Sequence, residues 1–445
     1  MPVTVVVGAQ FGDEAKGKIT DYLAANYRYV VRTGGGPNAG HSIELAEGQV
    51  VLHQLPSGIL RSGVTCIDGP GMVIDPFGLE TELHELDARG LLRGRLVISD
   101  RAHVILPIHR LEDAWEERIR AEHSGGAPFG TTLRGIGPAY ADRAGRFGIR
   151  FADLVRPSTL QEKLAVLYAS KEHLKDLPPR EQLQAELAEV GARLGPRVEP
   201  TEPILWEALR KEEPILLEGA QSALLDIDFG TYPYVTSSHP TSAGALAGSG
   251  IPPQEVTEVV GVSKAYATRV GAGPFPTEET GPMGEFLQRE GRERGATTGR
   301  TRRCGWLDLV LLRFAARLNG FTSLALTKVD VLGGLEEIPV CVAYEGIAGQ
   351  RTEYPPTDAA ELQRAKPVYD RRPGWPEFTP RLKERLHREG VRALPTNLRR
   401  YLEFLTAETG VPVEYVGFGP HRDETLWMGR GGKKVPPTQL SGWSS

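Results

Sequence analysis

The feature that most constrains this chain lies at its start. Val3 to Val7 is an unbroken β-branched run, VTVVV, ended by Gly8. Five stiff side chains with no polar alternation predict a strand buried on both faces, the environment of a parallel sheet covered by helices. A polar glycine-rich loop follows, then a helix predicted around Lys18 to Ala25, then a second strand at Tyr29 to Arg32. Strand, loop, helix and strand make a βαβ unit, whose chemistry belongs at the carboxyl end of the strand.

Similar apolar runs recur at Val104 to Pro107, Ile215 to Leu217, Val256 to Val262, Ser323 to Thr327 and Val413 to Val416. Between them lie segments with helical periodicity: Leu160 to Leu174, Glu181 to Leu194 and Leu307 to Leu318. The expected fold is therefore α/β, a large mostly parallel central sheet with flanking helices and a P-loop-like phosphate loop after the first strand. Residues 1–428 are read as one α/β domain, since Pro178-Pro179, Pro252-Pro253 and Pro355-Pro356 mark loops and no internal repeat is found. The stretch 429–445, rich in Gly, Pro, Ser and Lys, is expected to be a flexible C-terminal tail.

Charge narrows the partners. The 52 Lys and Arg against 57 Asp and Glu give a net charge of −5, which argues against a surface built to coat nucleic acid. The 3 cysteines, Cys66, Cys304 and Cys341, lack CxxC spacing and signal neither a disulfide framework nor a thiolate metal site. A reducing, cytoplasmic location is expected. The N-terminus has no secretory pattern, and no apolar run approaches the roughly 20 residues that cross a bilayer, so no membrane association is expected.

Two glycine-rich loops carry the first chemistry. From Gly12 the sequence GDEAKGK fits GxxxxGK, in which backbone N–H groups wrap a phosphate and a lysine supplies charge. Ile19 stands where an ordinary P-loop has the hydroxyl that ligates Mg²⁺, so a metal would need another ligand, and Asp13 is the candidate. The second loop, TGGGPNAGHS from Thr33 to Ser42, begins where the second strand ends and contains His41, whose ordinary pKa suits proton transfer. Thr327-Lys328-Val329-Asp330 ends another strand and is similar to the TKxD element of guanine-nucleotide proteins. A carboxylate accepts the adjacent N1–H and N2–H₂ donors of guanine, whereas adenine offers an acceptor at N1. Arg292 to Arg303, RERGATTGRTRR, supplies guanidinium groups of the kind that hold carboxylate or phosphate bidentately, and ATTGR within it suits a small dicarboxylate.

These motifs resemble the adenylosuccinate synthetase family from Val3 to about Thr425. GAQFGDEAKGK, NAGHS, GTTLRGIGPAYADR, EGAQSALLDIDFGTYPYVTSS, TRVGAGPFPTE, ATTGRTRRCGWLD and LTKVD occur in family order. The resemblance implies a GTP-dependent ligase that joins IMP to L-aspartate through a 6-phosphoryl-IMP intermediate, with Mg²⁺ as cofactor and a homodimer as the working unit.

Carried over residue by residue, the resemblance implies that Asp13 removes the purine N1 proton and ligates Mg²⁺ with Gly40. His41 stabilises the transferring phosphoryl group, and Gln221 orients the purine. IMP contacts fall on Asp13, Glu14, Ala15, Lys16, Asn38, Ala39, Gly40, His41, Thr132, Gln221, Thr236 and Arg300, with Arg146 supplied by the neighbouring subunit. Aspartate contacts fall on Val270, Ala296, Thr297, Thr298, Gly299, Arg300 and Arg302. GTP contacts fall on Gly12 to Lys18, including Gly17, on Gly40, His41, Ser42, Arg302, Lys328, Val329 and Asp330, and on Gly417, Phe418 and Gly419.

The chain departs from the family pattern at ligand loops. Ala15 and Leu133 stand where the family has glycine, Pro37 precedes Asn38, and Phe418 stands among lost hydroxyls, where it is placed to stack on a base. Three alternative readings fit parts of the pattern. A paralogous ligase would add aspartate to a modified purine nucleotide; a guanine-nucleotide switch would need neither ATTGR nor Gln221; an RNA-binding protein using Arg292 to Arg303 would bind in a salt-sensitive way.

Overall fold

The computed structural model describes residues 3–123, 130–295, 299–345 and 349–429. A ten-stranded sheet organises the chain. In spatial order its strands are Thr425–Trp427, Val413–Gly417, Ser323–Thr327, Val256–Lys264, Val3–Gly8, Ile215–Glu218, Tyr29–Arg32, Thr65–Asp68, Arg95–Ser99 and Val198–Glu199. Every neighbouring pair is parallel except the antiparallel edge pair of Val413–Gly417 with Thr425–Trp427. The expected α/β class is what the structure has.

Val3–Gly8 lies at the centre, hydrogen-bonded to Ile215–Glu218 on one side and Val256–Lys264 on the other. Its side chains alternate between the faces: Val3, Val5 and Val7 join one apolar cluster, and Val6 joins another with Ile19, Val30 and Leu216. A strand with two buried faces has no use for a polar position, which accounts for the VTVVV run; the hydroxyl of Thr4 donates to Glu258 at 3.1 Å.

A second sheet joins Tyr266–Arg269, Arg303–Asp308, Glu337–Glu345 and Arg351–Thr352, with Lys366–Pro373 also paired to Glu337–Glu345. The antiparallel pairing of Arg269 opposite Arg303 brings Val270 and Arg302 to one place at the rim of the central sheet.

Two expected elements differ. Val104 to Pro107 is not a strand of the central sheet: His103–Val104 makes a separate two-stranded sheet with Val73–Ile74, and Pro107 opens a helix running to His123. The fixed φ of proline suits the first turn of a helix. Leu307 to Leu318 is not one helix either. Leu307 and Asp308 end a strand, and Asp308 caps the helix Leu309–Asn319 by accepting from the Val310 and Leu311 amides at 3.0 and 3.2 Å.

Candidate active site

The carboxyl ends of the parallel strands open onto one cavity of about 800 Å³. Loops after Gly8, Arg32, Glu218 and Thr327, with the segment from Arg269 onward, form its walls, where the edge of a parallel sheet places ligands. Of the residues singled out from sequence, Gly12, Asp13, Ala15, Lys16, Gly17, Lys18, Asn38, Ala39, Gly40, His41 and Ser42 line it. Thr132, Gln221, Thr236, Val270, Arg300, Arg302, Lys328 and Gly419 complete that set.

The phosphate loop is held by an internal carboxylate. Glu14 is fully buried beneath it and accepts from the Gln10 and Gly12 amides at 3.1 and 2.8 Å and from the Ser222 hydroxyl at 2.6 Å. Its second oxygen pairs with Lys16 at 2.6 Å, and these bonds hold the carboxyl below its usual range against the opposing effect of burial. The side chain of Glu14 thus braces the loop and does not face the cavity. Asp13, Ala15, Gln221 and Lys328 all carry positive φ, at 61, 68, 53 and 62°. Left-handed non-glycine residues are costly and concentrate where a surrounding structure holds a functional loop in shape.

His41 opens the hairpin strand His41–Leu45. Its Nδ1 lies 2.5 Å from Glu218 Oε1, and Glu218 also accepts from the Ser57 amide and hydroxyl, each at 2.7 Å. Burial pushes the imidazole pKa down, and Glu218 opposes that shift. The pair fixes Nδ1–H toward Glu218 and leaves Nε2 as the working nitrogen. Nothing in EGAQ itself marks Glu218, because its partner lies 177 residues away.

Two polar groups at or beside the cavity have unspent hydrogen-bonding capacity among the described residues. Both polar atoms of the Gln221 amide are buried without a partner, as is Asp330 Oδ1. Such atoms cost about 1–3 kcal/mol each when left unpaired, so they mark places where a ligand's own polar atoms complete the structure. Burial raises the Asp330 carboxyl above its usual range, with Lys328 the main opposing charge.

Other expected residues take different places. Lys18 does not point its ammonium freely at a phosphate: it donates to the carbonyls of Gly419 and Glu424 at 2.5 and 2.8 Å, and burial lowers its pKa to about 8. Phe418 does not stack in the cavity; it is fully buried, edge-on to His387 at 5.2 Å between ring centroids, because the strand Val413–Gly417 delivers it into the apolar core. Val329 is buried, and Gly417, Gly299 and Asp330 stand outside the cavity lining. Arg146, exposed at the end of the helix Ile136–Gly145, points to no group of this cavity. Ala296, Thr297 and Thr298, and the tail from 430 onward, lie outside the described residues.

A family model described as adenylosuccinate synthetase matches residues 5–426. The chain belongs to the adenylosuccinate synthetase family. It is 48% identical over 435 residues to adenylosuccinate synthetase of Moorella thermoacetica, covering 96% of this chain and 99% of that one. The relative from Bifidobacterium adolescentis is 45% identical over 432 residues, covering 96% and 98%. Among solved structures, fully ligated adenylosuccinate synthetase from Plasmodium falciparum superposes with a TM-score of 0.89 at 34% identity, covering 96% of this chain and 100% of that one. The cyanophage S-2L succinoaminodeoxyadenylate synthetase bound to dGMP and dATP, at 22% identity and a TM-score of 0.63, shares the fold. As a member of this family the chain is a C–N bond-forming ligase of purine biosynthesis. Among the described residues no helix is long and apolar enough to cross a membrane.

Proposed function

We propose that the chain ligates IMP to L-aspartate at the expense of GTP, forming adenylosuccinate, GDP and phosphate through a 6-phosphoryl-IMP intermediate. The observation that carries this reading is the convergence on one cavity of Asp13, His41 and the unpaired Gln221 amide, each on a different strand-end loop.

The chemistry follows from the purine. Its C6 oxygen is a poor leaving group, so aspartate's amine displaces it only after that oxygen is phosphorylated. Asp13 takes the N1 proton, which raises the nucleophilicity of O6 toward the γ-phosphorus of GTP. His41, with Nδ1 committed to Glu218, directs Nε2 at the transferring phosphoryl group. Gln221 spends its amide on the purine and fixes the ring for in-line transfer. Aspartate's amine then attacks C6, the C6–O bond breaks and O6 leaves with the phosphate.

Asp13 and the Gly40 carbonyl are hard oxygen donors lining the same cavity and fit Mg²⁺, which would supply charge neutralisation to the phosphates when bound. Asp330 reads guanine through paired acceptor oxygens, which favours GTP over ATP. Arg300 and Arg302 receive the two carboxylates of aspartate. The working form is a cytoplasmic homodimer in which the exposed Arg146 reaches the neighbouring subunit's IMP, and 1–428 acts as one α/β unit in each copy. The test is phosphate release coupled to adenylosuccinate absorbance with GTP, Mg²⁺, IMP and aspartate, each omitted in turn. Dependence on all four supports the reading; turnover with another purine nucleotide in place of IMP overturns it in favour of a paralogous ligase.

A further inference from the structure

Behind the cavity wall lies a charged cluster that the proposed reaction does not use. Glu293 and Lys264 are both fully buried, with Lys264 Nζ 2.8 Å from Glu293 Oε1. The hydroxyl of Tyr266 donates to the same carboxylate oxygen, and the other oxygen accepts from Arg302 Nη1 at 2.6 Å. Lys264 Nζ donates a further bond to Thr268 Oγ1 at 2.8 Å. On its open side Arg302 pairs through Nε with Asp13 at 2.9 Å. One guanidinium therefore stands between a buried carboxylate and the carboxylate that reacts.

The backbone gives this cluster its position. Arg302 N–H donates to the Glu293 carbonyl at 3.0 Å, Gly295 N–H to the Arg300 carbonyl at 2.8 Å, and Arg294 bridges Thr301. Glu293 and Arg302 thus close the base of a hairpin whose far side carries Arg300. Lys264 is the last residue of the central strand Val256–Lys264, and its amide is held by Gln10 Oε1 at 3.0 Å. The charge pair fastens this segment to the end of a strand of the central sheet. Gly291 leaves the room: a β-carbon there would lie 2.2 Å from the Tyr266 hydroxyl and 2.9 Å from Glu293 Cγ.

Energetics set the question. Burying two charges costs so much solvation that apolar residues of the same volume often fold as well, so stability alone gives little reason for this pair. Orientation gives one. A buried carboxylate with both oxygens committed fixes the plane of the Arg302 guanidinium, whose Nε is turned to Asp13.

We infer that Glu293 is a positioning residue, which, anchored on Lys264 and Tyr266, orients Arg302 to receive the aspartate substrate while sharing its charge with Asp13. The inference rests on the proposed function for the identity of that substrate. Lys264 enters only as the anchor, and Glu293 touches no substrate.

The test is steady-state kinetics of the full chain carrying Glu293→Gln, Arg302→Leu and both together, with KM measured separately for aspartate, IMP and GTP. Glu293→Gln is expected to raise the aspartate KM on the order of tenfold, the worth of one charge-assisted hydrogen bond, with the IMP KM within about twofold. In the Arg302→Leu background the same change is expected to add less than about twofold, because its route to the substrate is gone. Where Glu293→Gln alone leaves Lys264 unpaired and the chain unfolded, Lys264→Met/Glu293→Gln removes both charges and carries the same expectation. An unchanged aspartate KM, or effects that multiply independently in the double variant, would overturn the inference. A wild-type chain that forms no product from IMP and aspartate would instead overturn the reaction itself, and this inference with it.

Discussion

The β-carbon of His41 occupies the space that a side chain at Gly17 would need: a Cβ on Gly17 would lie 2.5 Å from it. The second glycine of GxxxxGK therefore serves the packing of the phosphate-loop helix Lys16–Ala24 against the strand that carries His41. Gly17→Ala should push His41 away from Glu218. The expected result is a fall in kcat of about a hundredfold with a stability loss of roughly 1–3 kcal/mol, the usual cost of overpacking. Urea unfolding alongside turnover checks both; a variant with wild-type kcat would show that His41 does not need this seat.

Gln221 offers the opposite combination. Its amide is buried and unpaired, so Gln221→Ala removes a group that contributes little to the fold. Unfolding free energy should change by less than about 1 kcal/mol while kcat falls about a hundredfold, as expected for a residue that orients the reacting ring. Parallel losses of stability and activity would make Gln221 a structural residue.

Asp330 sets the base. Asp330→Asn replaces one acceptor oxygen with a donor and should weaken GTP by roughly a hundredfold while improving xanthosine triphosphate, whose C2 carbonyl accepts from the new amide. Competition kinetics with the two triphosphates is the measurement. Equal GTP affinity in the variant would place guanine recognition elsewhere.

Ala15 and Leu133 share a property that their sequence position hinted at. Both depart from the glycine that the family resemblance implies, and both have left-handed φ, 68° and 53°. Ala15→Gly should therefore stabilise the chain, by roughly 0.5–1 kcal/mol after the greater freedom of glycine in the unfolded state is counted. A rise in the urea midpoint at constant slope would confirm it, and a fall would show that the methyl group packs favourably.

Acid should expose the Glu293 cluster. Burial pushes that carboxyl up, but Lys264, Lys328 and Arg302 outweigh it and bring the pKa to about 2. A depressed carboxylate stabilises the fold above its unfolded pKa of 4.5 and loses that contribution as pH falls toward 2. The stability advantage of wild type over Glu293→Gln should be constant near pH 7 and shrink below about pH 4.5. An advantage independent of pH would mean that Glu293 acts through packing and not through charge.

Much of the fold was legible because burial on both faces leaves a plain signature, as in Val3–Gly8 and Ser323–Thr327. Thr65–Asp68 and Arg95–Ser99 escaped notice because TCID and RLVIS mix polar residues into short strands. Asp308 divided an apolar stretch into strand and helix by capping, a bond that periodicity does not register. In the site, Asp13, His41 and Gln221 were readable from motifs, whereas Glu218 and Glu293 became visible only when distant segments met. Phe418 misled because a position beside a guanine loop says nothing about which way the strand turns its side chain.

The most direct measurement of the central claim follows one oxygen atom. With IMP labelled with ¹⁸O at C6, turnover in the presence of GTP and aspartate should place the label in the released phosphate, because O6 leaves as part of it. Unlabelled phosphate, with the heavy oxygen recovered in water, would contradict phosphorylation of IMP and with it the roles given to Asp13 and His41.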